Sequence, residues 1–167
     1  MKTLILVRHA KSSWDAIGLE DFERPLNERG KKDAPVMAKK LRDKKSEIDI
    51  FISSPAKRAL KTARYFAKEY VVGKKDIVVE NKLYGASVSA FLEVVSEIKN
   101  KHKTAIIFSH NPGLTEFANT LTSVHTDNIP TCGIFAVQAN CDNWVDFLKS
   151  EKNFLFFDYP KNSIEKL

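Results

Sequence analysis

Leu6-Val7-Arg8-His9-Ala10-Lys11-Ser12-Ser13-Trp14 sets an adjacent arginine and histidine at the end of an apolar run, and the fold turns on how that run is read. Thr3 to Val7 is short and continuous, which suits a parallel strand covered on both faces better than an alternating, half-exposed one. The polar pair then falls where the strand leaves the core. In open α/β sheets that carboxyl edge is where ligands sit, so Arg8 and His9 are the first candidates for chemistry.

The chain repeats this arrangement downstream. Ile48 to Ile52 reads as a second short strand, leading into Ser53-Ser54-Pro55-Ala56-Lys57-Arg58, where Ser54 suits an N-cap and Pro55 a first helical residue. Arg58 then lies in the first turn, with Thr62 one turn above it. Ile77 to Val79 reads as a third strand ending at Glu80. Thr104 to Phe108 forms a fourth strand that runs straight into Ser109-His110-Asn111-Pro112-Gly113, where Asn111 can cap and Pro112 open another helix. Helical faces fall at Ala34, Met37, Ala38 and Leu41, at Ala59, Ala63, Phe66, Ala67 and Tyr70, at Phe91, Val94, Val95 and Ile98, and at Leu114, Phe117, Ala118 and Leu121. The first of these helices starts at about Glu28 and includes Pro35 in its early part. Arg24-Pro25-Leu26-Asn27 is a turn that ends a polar loop from Asp15 to Arg24, long enough to cover a site beside it.

Alternation of strand and helix predicts an α/β fold: a single three-layer domain over 1–167, with a central, mostly parallel sheet flanked by helices. The first, second and fourth strands are parallel in this reading and end at one edge. Gly133 to Ala139 and Asn153 to Tyr159 lack a long helix between them and read as antiparallel or edge strands. The aromatics of the last run, Phe154, Phe156, Phe157 and Tyr159, fit a buried strand better than a base-stacking platform.

At 167 residues and 43% hydrophobic, the chain can bury one core. The net charge of +6 favours anionic ligands without choosing among them, and the lysine doublets, such as Lys39-Lys40, belong to solvated helix faces. Cys132 and Cys141 sit in no zinc or redox pattern and read as reduced and structural. No signal peptide or transmembrane run is present, so a cytoplasmic, soluble protein without membrane or nucleic-acid partners is expected. Arg8, His9, Arg58 and His110 converge at the carboxyl edge beside two helix N-termini, a setting suited to a phosphoryl group.

The blocks Arg8-His9-Ala10 with Ser12, Trp14 and Asp15, Ser54 through Arg58-Ala59 to Thr62-Ala63, and Ser109 to Gly113 together resemble the histidine phosphatase superfamily, which includes the cofactor-dependent phosphoglycerate mutases. The short length, the Arg-His-Ala-Lys-Ser variant and the Ser-His-Asn-Pro-Gly block are most similar to its compact SixA-type branch, associated with phosphohistidine phosphatases. That resemblance implies a phosphoglycerate-mutase-like fold and His9 as the nucleophile that becomes phosphohistidine. It also implies phosphate binding by Arg8, Arg58, His110 and Asn111, with no metal and no cofactor. Spacing alone does not distinguish His9 from His110 as nucleophile. For attack the imidazole must be neutral, and neighbouring arginines lower its pKa.

Two departures from the family pattern matter. Larger members carry a proton-donating acid after the third strand; here that region offers only Glu80, placed early. A missing acid weakens hydrolysis of alkyl esters more than that of a phosphoramidate, whose leaving nitrogen can be protonated beforehand. Asp15 stands where related proteins often have Asn, and its charge opposes phosphate unless Arg24 or Lys11 pairs with it; Ser12 and Arg24 are further candidates for the site. The expected activity is removal of phosphate from a phosphohistidine protein. A small phosphoester is the rival substrate, and a non-catalytic phosphate-binding module is the alternative from another class. The oligomeric state is left open.

Overall fold

The fold, seen in a computed structural model that describes residues 1–15 and 17–163, places the first strand at the heart of a six-stranded sheet. The strands are β1 (Lys2–Arg8), β2 (Ile50–Ser53), β3 (Val78–Val79), β4 (Thr104–Ser109), β5 (Ile134–Ala139) and β6 (Asn153–Asp158), in the order β3-β2-β4-β1-β5-β6. β1, β2, β3 and β4 run parallel, and β5 and β6 complete the sheet antiparallel to their neighbours. Among the described residues five α-helices cover it: α1 (Glu28–Lys44), α2 (Lys57–Glu69), α3 (Val88–Ser96), α4 (Gly113–Leu121) and α5 (Trp144–Lys149).

The period-two geometry of β1 builds both halves of the core. Leu4 and Leu6 face α3, α4 and α5, in a cluster with Phe91, Phe117 and Trp144. Ile5 and Val7 face α1 and α2, in a cluster with Met37, Leu41 and Phe66. All four strand residues are fully buried, as the continuous apolar run requires. No helix of the described residues is long and apolar enough to cross a membrane.

Asn27 caps α1 by accepting from Gly30 N–H at 2.9 Å. Pro35 is the eighth residue of α1, exposed on the face opposite Ala34, Met37, Ala38 and Leu41, so the buried face continues past it. At α4, Asn111 does supply capping oxygen, accepting from Thr115 N–H at 3.2 Å, although the helix proper begins at Gly113. The Asn111-Pro112 peptide is cis.

Two expectations need correction. α2 starts at Lys57, two residues after Pro55, with Ala56 rather than Ser54 at the cap position. Ser54 is buried ahead of the cap position: its hydroxyl accepts from Ala56 N–H at 3.3 Å, closing the turn before the helix, and lies 2.7 Å from His110 Nε2, where it serves the site as well. β6 is not a buried strand. It has a neighbour on one side only, Phe154 and Leu155 are exposed at 36% and 39%, and Phe156 and Phe157 are half-buried.

The start of α4 presses against the loop that follows β3. A Cβ on Gly113 would lie 1.9 Å from the carbonyl oxygen of Ala86, a backbone atom that cannot step aside cheaply. Gly113→Ala is therefore expected to lower the unfolding free energy by about 1–3 kcal/mol, the usual cost of overpacking. Urea unfolding checks this: the midpoint should fall at unchanged slope, and an unmoved midpoint would show that the two segments are free to separate.

Candidate active site

β1 and β4 pair in parallel with Arg8 opposite Ser109, so the residues that follow, His9 and His110, leave the sheet side by side. Their rings lie 5.2 Å apart between centroids, inclined at 49°. On the other side of β4, Ser54 N–H bonds the carbonyl of Phe108 at 3.0 Å, which sets the start of α2 and Arg58 against the same edge. The four residues expected to form the site are thus brought together by strand register.

His9 is oriented by its neighbour. Nδ1 lies 2.8 Å from the carbonyl oxygen of Ala10, and because a carbonyl only accepts, Nδ1 carries the proton and Nε2 keeps its lone pair. Burial, chiefly, holds the His9 pKa down at about 3; the Ala10 bond opposes this, while His110, Arg58 and Arg8 add to it. The arginines do lower it, as expected, but burial is the larger cause. His110 is likewise held at about 3, first by burial and then by Arg58. The Ser54 hydroxyl accepts from Ala56 N–H at 3.3 Å and has its own proton free for His110 Nε2, which leaves the ring proton on Nδ1.

Arg8 donates through Nη1 to Ile129 O at 3.1 Å, and burial followed by the charge of Arg58 lowers its pKa. Arg58 reaches Asp21 through Nη1 to the backbone oxygen at 2.6 Å and Nη2 to Oδ2 at 3.0 Å. Arg8 Nε, Arg58 Nε and His110 Nδ1 are buried and have no hydrogen-bond partner within the protein. Unpaired buried donors typically cost about 1–3 kcal/mol each, a cost that an anion accepting from them would offset. Among the described residues no group of three or more His, Cys, Asp or Glu side chains could hold a metal ion.

The residue that sequence reasoning missed is Asp21. Its carboxylate accepts from Tyr84 OH at 2.7 Å, from Arg58, and from Arg24 Nε at 3.1 Å. The Tyr84 hydrogen bond and the two arginines hold its pKa at about 2 against the opposing effect of burial. The same bond raises the pKa of Tyr84, whose ring stands edge-on to His110 at 5.6 Å. Asp21 and Tyr84 come from the two polar loops on either side of the site, where no periodicity marks them. The only signal available was that these loops had to pass the carboxyl edge.

The remaining candidates take supporting positions. Arg24 is buried at the edge of the site, with Nη1 bonded to Ser12 Oγ at 2.7 Å and its guanidinium 3.5 Å from the centre of the Trp14 ring. Ser12 is thus occupied by Arg24. Asp15 is exposed, and the arginine expected to pair with it is paired with Asp21 instead. Asn111 spends its side chain on Thr115, Asn128 and Ile129, the last through the same carbonyl that accepts from Arg8. Glu80 accepts from Lys82 N–H at 3.3 Å and lines a groove with Val94, Glu97 and Ile98, making no bond to the four central residues.

Neutral imidazoles in the folded state make stability depend on pH. In the unfolded chain each would take a proton near its ordinary value of about 6.5, whereas the folded protein resists protonation down to about 3. Between those values the unfolded state binds more protons, so stability present above pH ~6.5 is lost as pH falls, by up to about 1.4 kcal/mol per pH unit for each ring. Urea unfolding of wild type between neutral and mildly acidic pH should show this slope. His9→Ala and His110→Ala should each flatten it; slopes equal to wild type would mean that the rings are protonated in the native state.

Comparison with known proteins agrees with the geometry. Residues 4–84 match the family model described as histidine phosphatase superfamily (branch 1). Phosphoserine phosphatase 1 of Hydrogenobacter thermophilus is 40% identical over 84 residues, covering 48% of this chain and 39% of that protein, so the chain aligns with well under half of that relative's length. A 2,3-bisphosphoglycerate-dependent phosphoglycerate mutase of Staphylococcus haemolyticus is 37% identical over 73 residues, 41% of this chain and 31% of its own. The structure of the protein histidine phosphatase SixA complexed with tungstate superposes with a TM-score of 0.80 at 21% identity, covering 96% of this chain and 99% of that one, a likeness of fold. Just under half of the chain thus matches the histidine phosphatase superfamily model, and the whole chain shares the fold of SixA.

Proposed function

We propose that this protein is a phosphohydrolase that works through a phosphohistidine on His9, and that its substrate is phosphohistidine carried by a protein. What supports this most directly is the contrast within the site. A free, neutral imidazole nitrogen stands beside three unpartnered buried donors, while the one carboxylate bonded to the site's arginines, Asp21, is held ionised.

His9 Nε2 attacks phosphorus in line, forming the new P–N bond as the substrate's P–N bond breaks. If the substrate imidazole enters protonated on its other nitrogen, it leaves as neutral imidazole and needs no proton in the transition state. Arg8, Arg58 and the Nδ1–H of His110 hold the equatorial oxygens, where charge is concentrated. Water then attacks the phosphorus, the P–Nε2 bond breaks, both water protons end on the departing dihydrogen phosphate, and His9 returns to its neutral form. An alkyl ester would require a proton for its leaving oxygen, and a carboxyl group with a pKa near 2 is almost wholly ionised at neutral pH.

A small phosphomonoester is the second reading, favoured by the likeness of the N-terminal half to phosphoserine phosphatase 1. A phosphate-binding module without catalysis is the third; it leaves the free Nε2 of His9 without a task.

Phosphate release, measured with chelator present, from a phosphohistidine-bearing protein and from a simple phosphomonoester separates the three. Wild type should release phosphate at least about a hundredfold faster from phosphohistidine, and His9→Ala from neither, given that removing a nucleophile abolishes nearly all turnover. Asp21→Asn should keep phosphohistidine turnover within about tenfold. Faster release from the ester, together with loss of that activity in Asp21→Asn or Glu80→Gln, would identify a proton donor and overturn the P–N reading. Unchanged turnover in His9→Ala would remove His9 as nucleophile.

A further inference from the structure

α2 carries a second basic surface that the chemistry of the site does not use. Lys57, Lys61, Arg64 and Lys68 recur at i, i+4, i+7 and i+11, so they lie along one helix face, spanning about 17 Å at 1.5 Å per residue. All four are exposed, and none takes part in the ion pairs found among the described residues. The helix also opens with Lys57 and Arg58 and has no acid in its first turn, where its own dipole disfavours positive charge. Lys68 lies in the last turn, where the dipole favours a cation, and Lys61 sits 5.3 Å from the centre of the Tyr65 ring, but no carboxylate among the described residues answers the row, which suits a negative partner.

The space beside the row has the shape of a trough. One cleft of about 390 Å³ lies among Phe22, Leu26, Leu60, Lys57, Lys61 and Arg64, with Glu23 also on its wall. A second of about 540 Å³ continues from Lys61 and Arg64 past Tyr65 to Lys68 and Val72. Lys61 and Arg64 line both, so the two clefts lie next to each other along α2. The near end lies beside the active site, since Phe22 follows Asp21 and packs its ring on Tyr84 at 5.3 Å, and Pro55 follows Ser54. Leu26, Leu60 and Val72 stand beside the rings of Phe22 and Tyr65, an apolar lining suited to the side chains of a peptide.

We infer that this trough is the docking surface for an acidic segment of the phosphoprotein substrate, laid along α2 with its phosphorylated side chain at His9. The inference rests on the phosphohistidine reading and adds to it a recognition element outside the reacting atoms. A small metabolite could not reach the far end. An extended segment covers 17 Å in about five residues, so acids within roughly five to ten positions of the phosphohistidine would meet the row.

Two synthetic peptides test this, each with one central phosphohistidine, flanked in one by glutamates and in the other by glutamines. Wild type should turn over the glutamate peptide with a kcat/KM at least about tenfold higher, through KM rather than kcat, with the difference shrinking as salt is raised. In the triple variant Lys61→Gln, Arg64→Gln, Lys68→Gln the preference should vanish, while kcat/KM for the glutamine peptide and for free phosphohistidine stays at the wild-type value. Equal turnover of the two peptides by wild type, or a preference that survives in the variant, would overturn the docking surface and leave the phosphohistidine reading intact. Stronger inhibition by a single-stranded oligonucleotide than by the unphosphorylated glutamate peptide would also overturn it. Release from the phosphomonoester but from neither peptide would remove the phosphohistidine reading itself, and the docking inference with it.

Discussion

The parallel pairing of β1 with β4, with Arg8 opposite Ser109, is the constraint on which the site depends. Shift that register by one residue and one histidine turns toward the opposite face. The backbone just past β1 is then clamped from three sides. His9 N–H bonds Ser109 O at 3.2 Å, Cys132 N–H lies 3.0 Å from the carbonyl oxygens of both Arg8 and His9, and Ala10 N–H bonds Thr62 Oγ1 at 2.9 Å. Thr62 in turn donates to Arg58 O at 2.8 Å. Cys132 holds its place with φ at 61°, an uncommon and strained conformation for a residue other than glycine, beside His9. His9, Arg58 and helix α2 are therefore one hydrogen-bonded unit, and the backbone that carries the His9 imidazole has little freedom.

Positive charge gathered in so small a space would repel itself without an answer, and Asp21 supplies part of it. Its carboxylate ties Arg58 and Arg24 together and fastens Tyr84 over the site. Because Asp21 is about half exposed, the ion pairs themselves add little stability; their effect is on orientation. Asp21 also engages the Nη groups of Arg58 and leaves Nε unpartnered, so the guanidinium keeps a donor that Asp21 does not occupy. The loop that brings Asp21 to the site thus serves as a wall that is part of the electrostatics.

How much of this could be read from the chain follows from the range of the forces involved. Fully buried strands and amphipathic helices leave periodic traces, so β1, β4 and the buried faces of α1 and α2 were legible, and with them the parallel edge carrying Arg8, His9, Arg58 and His110. The edge position of β6 was expected, but its burial was misread, because aromatic content says nothing about whether an edge strand is covered. Ser54 was misread because a hydroxyl can serve a helix end or a histidine, and only the tertiary position of His110 decides. Asp21 and Tyr84 left no trace because they meet across 63 residues of sequence through side-chain tips on irregular loops. Asn111 looked like a ligand for phosphate by its place in the third block, whereas its side chain is consumed in holding the α4 start to Asn128 and Ile129.

The places where local rules fail are concentrated on one element. α2 has no side-chain cap and begins with two cations where acids would be favoured. Each of these choices weakens the helix taken alone. Its stability comes from the other face, where Ala59, Ala63, Phe66 and Ala67 are buried and Phe66 sets its ring edge-on to Phe108 at 5.2 Å. That packing holds the helix from its far side, so the N-terminal end can set Ser54 against His110 and Arg58 at the carboxyl edge. A helix optimised for itself would have kept Ser54 as a cap and placed a carboxylate near Arg58 in sequence, quenching the charge that the site requires. Conflict between helix and site is settled in favour of the site, and the core beneath α2 is what makes that settlement affordable.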